Sequence, residues 1–178
     1  MKLVPPSPPL DDGVVRLRPW EPTDVEAVVM ACTDDETARW TMVPVPYTRE
    51  HARSWIDSST RAWADGQAAF AVTVDGAVVG AMTLWVLPHE TAEIGYWALP
   101  AFRARGYTTR ALRLVCEWAL GELALARVQL GTYPGNAASE RVAEKAGFAR
   151  EGVLRSWHAQ RGERRDVTMW SLLPGELR

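Results

Sequence analysis

Ala92-Glu93-Ile94-Gly95-Tyr96-Trp97-Ala98-Leu99-Pro100, followed by Arg103-Ala104-Arg105-Gly106-Tyr107-Thr108-Thr109, is the stretch that decides the fold. Ala92 to Leu99 reads as a strand that stops at Pro100, and beyond Gly106 the residues Leu112, Val115, Cys116, Ala119 and Leu120 recur at helical spacing. A strand, a glycine turn and a helix meet here. A helix start exposes unpaired N–H groups and about half a positive charge, so it can receive phosphate oxygens, and Gly106 permits close approach of the chain. Arg103, Arg105 and Arg110 strengthen that field. A glycine beside arginines also begins many helices for structural reasons alone.

Upstream, Ala69 to Val74 and Val78 to Val86 flank Asp75-Gly76, a dipeptide that supplies the positive φ angles of a tight hairpin, so the sheet is antiparallel there. Further back, Val14 to Arg18 alternates as a half-buried strand ending at Pro19. A helix follows, with Thr23 and Glu26 at capping-box spacing and Val25, Val28, Val29 and Cys32 as its apolar stripe. A second helix starts near Thr48 and carries Ala52, Trp55, Ile56, Ala62 and Trp63 before Gly66. Between them Arg39 to Tyr47 reads as a Pro-rich, aromatic loop able to line a pocket. Downstream, Arg127 to Thr132 reads as a strand, Asn136 to Ala146 as a helix closed by Gly147, and the remainder as a hairpin turning near Arg161-Gly162.

The length of 178 residues predicts one domain, residues 13–178, preceded by a flexible Pro-rich arm over 1–12. With 47% hydrophobic and 24% charged residues the composition excludes disorder and low complexity. A net charge of −2 offers no global field for a polyanion, so no nucleic-acid partner is required. Cys32 and Cys116 form no CxxC, and His51, His89 and His158 lie far apart, so a metal site is not expected. No apolar run approaches the roughly 20 residues of a membrane helix, and a cytoplasmic, reducing setting is the expectation.

Glu93-Ile94-Gly95-Tyr96-Trp97, Arg103 to Thr109, Gly135-Asn136-Ala137-Ala138-Ser139 and Glu144-Lys145-Ala146-Gly147-Phe148 resemble, in residues and order, the GNAT acyltransferases of the RimJ/RimL type. The resemblance runs from about Val15 to Pro174. It implies an α+β GNAT fold: a mixed, mostly antiparallel seven-stranded sheet whose central strands splay apart, with helices on both faces. It also implies acetyl-CoA as acyl donor and no metal, with the pyrophosphate on Arg103, Ala104, Arg105, Gly106, Tyr107, Thr108 and Thr109. Thr108 stands where the family has glycine or alanine, and Arg110 where many relatives have glutamate. Backbone groups near Trp97, Ala98 and Leu99 and the Asn136 side chain would hold pantetheine.

The implied reaction is direct attack of a neutral primary amine on the thioester. An α-amine with pKa about 8 is neutral to roughly a tenth at pH 7, a lysine amine to under about a thousandth, so an α-amine needs a weaker base. Glu93 is the candidate base or water relay; a surface carboxylate on a strand edge is the plainer alternative. The family tyrosine four residues before Gly147 is replaced by Ala143, and Ser139 matches the serine that RimL-like enzymes place near the thiol. Asn136 equally suits a helix cap. Trp40, Tyr47, Trp55 and Trp63 fall in the segment where the family builds its acceptor site. The preferred acceptor is a peptide or protein N-terminal α-amine; a small-molecule amine or antibiotic, or a non-catalytic acyl-CoA-binding module, are the alternatives. Arg155, Arg161, Arg164 and Arg165 make the final hairpin basic; solvated surface is the expected reading, contact with an acidic peptide or RNA the alternatives, and an edge strand there could pair with a second copy.

Overall fold

The chain alternates hairpins and helices in the order β1 (Leu10–Asp11), β2 (Arg16–Pro19), α1 (Val25–Cys32), α2 (Asp35–Trp40), α3 (Arg49–Ala62), β3 (Gln67–Val74), β4 (Ala77–Leu87), β5 (Thr91–Ala98), α4 (Tyr107–Leu120), β6 (Arg127–Thr132), α5 (Ala137–Ala146), β7 (Ala149–Gln160) and β8 (Glu163–Leu172). The structure is a computed structural model that describes residues 1–177. The strands form one sheet in the order β1-β2-β3-β4-β5-β6-β8-β7, antiparallel except where β5 meets β6.

The sheet has eight strands, where seven are expected. The extra one is β1, paired with Arg16 and Leu17 of β2. The turn between them is made by Asp11 and Asp12, whose carboxylates accept hydrogen bonds from the amides of Gly13, Val14 and Val15 while Gly13 takes φ +82°. The first twelve residues therefore do not form a loose arm along their whole length. Leu3 is buried, and its amide donates to the Trp63 carbonyl at 2.9 Å.

Caps place most helix ends. Thr48 and His51 close a capping box at the start of α3, and Gly66 ends the following 3-10 turn in the left-handed region. The box expected at Thr23 and Glu26 is instead Glu21 and Asp24, closing a 3-10 turn before α1. Within the expected Pro-rich loop lies the short helix α2, capped by Asp34, whose side chain accepts from the Thr37 amide at 2.9 Å. Six residues with a single apolar ring show no helical period, which is why α2 escapes the hydrophobic pattern.

Two apolar clusters sandwich the sheet. On one face α4 and α5 cover Phe70, Met82, Leu84, Ile94, Leu130 and Leu172; on the other, α1 and α3 cover Ala69, Ala71 and Ala81. Trp63, expected at the acceptor site, is 5% exposed in the first cluster, 5.0 Å from Phe70 and 6.3 Å from Trp118. It sits in the 3-10 turn past α3, and the tighter turn swings its ring off the apolar stripe of that helix.

Candidate active site

β5 and β6 pair over only three rungs, Thr91 with Arg127, Ala92 with Val128 and Glu93 with Gln129. Beyond them β5 continues to Ala98 beside β4, and β6 continues to Thr132 beside β8, with no pairing between them. The two strands thus diverge, leaving a wedge-shaped gap. Peptide groups alternate in direction along a strand, and the Leu99 amide already donates to the Val79 carbonyl at 2.9 Å. Trp97 and Leu99 therefore spend their backbone groups on β4. Those of Tyr96 and Ala98 and the Ile94 carbonyl face the gap, the Ile94 amide being used in the last rung with Gln129, which narrows the expected Trp97–Leu99 set to Ala98 and adds two residues before it.

The loop after β5 carries backbone N–H groups left without partners. Ala104 at φ +60° and Gly106 at φ +82° turn the chain left-handed on alternate residues, a nest of converging N–H groups. The amides of Arg105 to Thr109 make no hydrogen bond among the described residues, while the Arg110 amide closes the first turn of α4 on the Gly106 carbonyl. A Cβ added at Gly106 would meet nothing within 4 Å, so the cradle is open on that side. Tyr107 and Thr108 line a crevice with Trp97, Ala98 and Phe102, whereas Thr109 is buried and offers only its amide.

The arginines are arranged differently from the expectation. Arg103 pairs with Asp34 and donates to Thr37 Oγ1 at 3.0 Å, tying the loop to the start of α2. Arg110 pairs with Asp12 at 2.7 Å. Arg105 lies over the Phe102 ring and, alone of these three, has no carboxylate partner among the described residues. Sequence spacing places the arginines near the loop but not their acidic partners, 69 and 98 residues away. Because Asp34 both caps α2 and holds Arg103, Asp34→Ala is expected to lower stability by about 1–2 kcal/mol in a denaturant melt.

Ser139 sits in the first turn of α5, where the Asn136 side chain accepts its amide at 3.2 Å. The cap fixes the serine, and across the gap its Oγ lies 2.8 Å from the Tyr96 hydroxyl, which also reaches the Ser139 carbonyl at 3.3 Å. Burial pushes the Tyr96 phenol up to about 12. Tyr96 was not singled out from sequence, although its alternation with Ile94 places it on the α4–α5 face. Glu93, on the opposite face by the same alternation, accepts a hydrogen bond from Gln129 at 3.2 Å on the last rung before the strands part. The candidate base and the candidate acid thus lie on opposite faces of the same gap.

Of the expected acceptor aromatics, Trp55 stacks edge-on against Trp20 at 5.1 Å, and Tyr47 packs 5.5 Å from His51, both belonging to the α1–α3 cluster. Trp40 is the one that meets the far end of the sheet: Arg39 lies 4.7 Å and Arg165 5.9 Å from its ring. There the tip of the β7–β8 hairpin is bound to α2 and the loop after it, Gln160 Nε2 donating to the Thr41 carbonyl at 2.6 Å and Arg161 to that of Ala38 at 2.7 Å. Tyr133, just after β6, completes the group, touching Met42 Sδ at 3.2 Å and His158 Nδ1 at 3.3 Å. Nothing in the local sequence joins these residues. Among the described residues, no three His, Cys, Asp or Glu side chains gather as a metal site, and no helix is long and apolar enough to cross a membrane.

The profile of the acetyltransferase (GNAT) domain matches residues 15–149. Two Bacillus subtilis proteins are similar: YjcK, named as an N-acetyltransferase, is 40% identical over 84 residues, 46% of each chain. YdaF, named as a ribosomal N-acetyltransferase, is 36% identical over 104 residues, 57% of each chain. The matched stretch spans about half the length of these relatives. Mycobacterium smegmatis RimJ, solved with CoA-disulfide, superposes with a TM-score of 0.81 at 25% identity, over 93% of this chain and 84% of that one.

Proposed function

This chain belongs to the GNAT acetyltransferase family, and from that premise we propose that it transfers acetyl from acetyl-CoA to a primary amine, by preference the N-terminal α-amine of a peptide or protein. The observation that carries the reading is the gap itself. Three rungs of parallel pairing, then divergence, leave the Ile94 carbonyl and the peptide groups of Tyr96 and Ala98 free on one side. An extended pantetheine arm would satisfy them as a neighbouring strand does. The open nest at Ala104–Gly106 suits the pyrophosphate, and the two features lie at successive points of one chain segment, as a single elongated ligand requires. The site therefore fits the donor.

Bound acetyl-CoA supplies an acetyl thioester, whose carbonyl a neutral amine attacks directly. The residues of this chain then have separable roles. Glu93 takes a proton from the amine, directly or through water, on the α1–α3 face. Ser139 points its hydroxyl proton toward the sulfur on the other face. Tyr96 holds Ser139, its hydroxyl 2.8 Å from Ser139 Oγ; when the phenol is the donor of that pair, the serine proton is free to face the departing thiolate.

CoA thiol release, measured with free-α-amine peptides, N-blocked lysine peptides, polyamines and aminoglycosides, tests the reading. Release confined to the free-α-amine peptides is expected; release confined to small amines moves the acceptor to metabolites or antibiotics, and none across the panel leaves a binding module. Ser139→Ala and Glu93→Gln are each expected to lower kcat at least tenfold, about 1.4 kcal/mol of transition-state stabilisation, with the acetyl-CoA Kd little changed. Turnover within about threefold of the parent in both would remove both assignments.

A further inference from the structure

The far end of the acceptor face carries positive charge that the protein itself does not neutralise. Arg39, Arg161 and Arg165 converge on Trp40 and Tyr133, and among the described residues none forms an ion pair. Arg165 is held by neutral groups: its guanidinium lies 4.3 Å from the Tyr133 ring centroid and donates to Gln160 Oε1 at 2.7 Å. Gln160 is buried and anchored in turn to the Thr41 carbonyl. The neighbouring carboxylates form no ion pair with these three arginines. Glu36 accepts from Trp40 Nε1 at 2.7 Å, Asp34 binds Arg103, and Asp166, on the other face of β8, accepts from the Ser156 amide at 2.7 Å. A half-buried guanidinium fixed by neutral acceptors, with no counter-ion, is costly unless an anion arrives from outside. Burial raises the Tyr133 phenol above its usual range while the fields of Arg165 and Arg161 oppose that rise, so both charges reach its hydroxyl.

This end communicates with the reacting centre along one surface. On β8 the residues Arg165, Val167, Met169 and Ser171 share a face, and Ser171 is the register partner of Gln129, which hydrogen-bonds Glu93. From Gln129 to Tyr133 is four residues, about 13 Å of strand, the reach of about four extended peptide residues. We infer that the acceptor is an acidic N-terminal segment, whose α-amine enters the gap beside Glu93 while a carboxylate within its first few residues is held by Arg165 and Arg161 at the Tyr133–Trp40 end. This rests on the acetyl-transfer reading and adds the chemistry of the acceptor to it. It also reconciles a chain of net charge −2 with an acidic partner, because the attraction is local.

The test uses C-terminally amidated eight-residue peptides with an identical first residue and either glutamate, glutamine or lysine at the third and fourth positions, followed by thiol release and by calorimetric binding. The glutamate peptide is expected to exceed the glutamine peptide about tenfold in kcat/KM, and the lysine peptide to fall below both. The preference should shrink to about twofold or less in Arg165→Met and in the exposed Arg161→Gln, and at about 1 M salt, where the screening length is near 3 Å. Because Arg161 is exposed, its variant keeps the test sound if the Arg165 change disturbs folding. Equal turnover of glutamate and glutamine peptides overturns the inference and leaves acetyl transfer standing, as does a preference for a small amine over every peptide. If neither a peptide nor a small amine is acetylated, the acetyl-transfer reading falls, and calorimetry still decides: tighter binding of the glutamate peptide supports the arginine wall, and equal binding overturns it.

Discussion

Replacing Gly106 by glutamate is expected to weaken acetyl-CoA binding at least a hundredfold while leaving the fold in place. Gly106 occupies φ +82° at the entry to α4, a conformation that costs an L-residue about 1 kcal/mol or a little more. A Cβ there meets nothing, so that cost is local and no packed group has to move. A glutamate here, however, brings a carboxylate into the loop whose Arg105 to Thr109 amides are free, where it would compete for those donors and repel a pyrophosphate. A hundredfold loss corresponds to about 2.7 kcal/mol, well within what two opposed anions and lost charge-assisted hydrogen bonds cost. Gly106→Ala carries the backbone cost alone and should lose about tenfold or less. Calorimetry on both variants decides: glutamate binding acetyl-CoA as tightly as the parent means that the loop holds no phosphate.

Phe70→Ala is expected to be the most damaging single truncation to stability, at about 3–5 kcal/mol, close to the whole stability of many domains. Phe70 is fully buried at the centre of β3 and meets two tryptophans edge-on, Trp63 at 5.0 Å and Trp118 at 5.8 Å. Its removal takes away transfer free energy and both aromatic contacts. It also opens a cavity between α4 and the sheet, walled by large rings that cannot easily collapse into it. Trp157→Ala, at a side chain 54% exposed on β7, should stay within about 0.5 kcal/mol of the parent. A denaturant melt in which the two variants shift alike would show that the aromatic cluster contributes little.

The elements that local sequence predicts well are those whose signal is local. Asp75-Gly76 makes its hairpin because only left-handed residues close that turn, and Asp75 and Gly76 take φ +49° and +81°. Gly147 ends α5 for the same reason, and the apolar period of α4 marks its buried face. Asp11-Asp12-Gly13 carries a similar turn signal, which the prolines around it obscure. The candidate site divides along the same line. Its loop, its gap and Ser139 lie on motifs that resemble a family, while the partners that give those residues their roles come from elsewhere in the chain. Arg103 meets Asp34 across 69 residues, Tyr96 meets Ser139 across 43, and Arg165 meets Tyr133 across 32.

What the sequence determined by itself is the succession of strands and helices apart from β1 and α2, and the glycine-hinged entry to α4, because turns, caps and periodicity are decided within a few residues; the family showed only in motifs whose residues and order resemble it. Tertiary structure alone decided which charges are spent and which remain. Arg103 and Arg110 are neutralised by acids from distant segments, Trp63 is drawn into the core, and Arg165 and Arg161 are left without a counter-ion beside Tyr133. Such outcomes depend on which surfaces the sheet and helices bring together, and an ion pair between side chains distant in sequence has no signature in either one's neighbours.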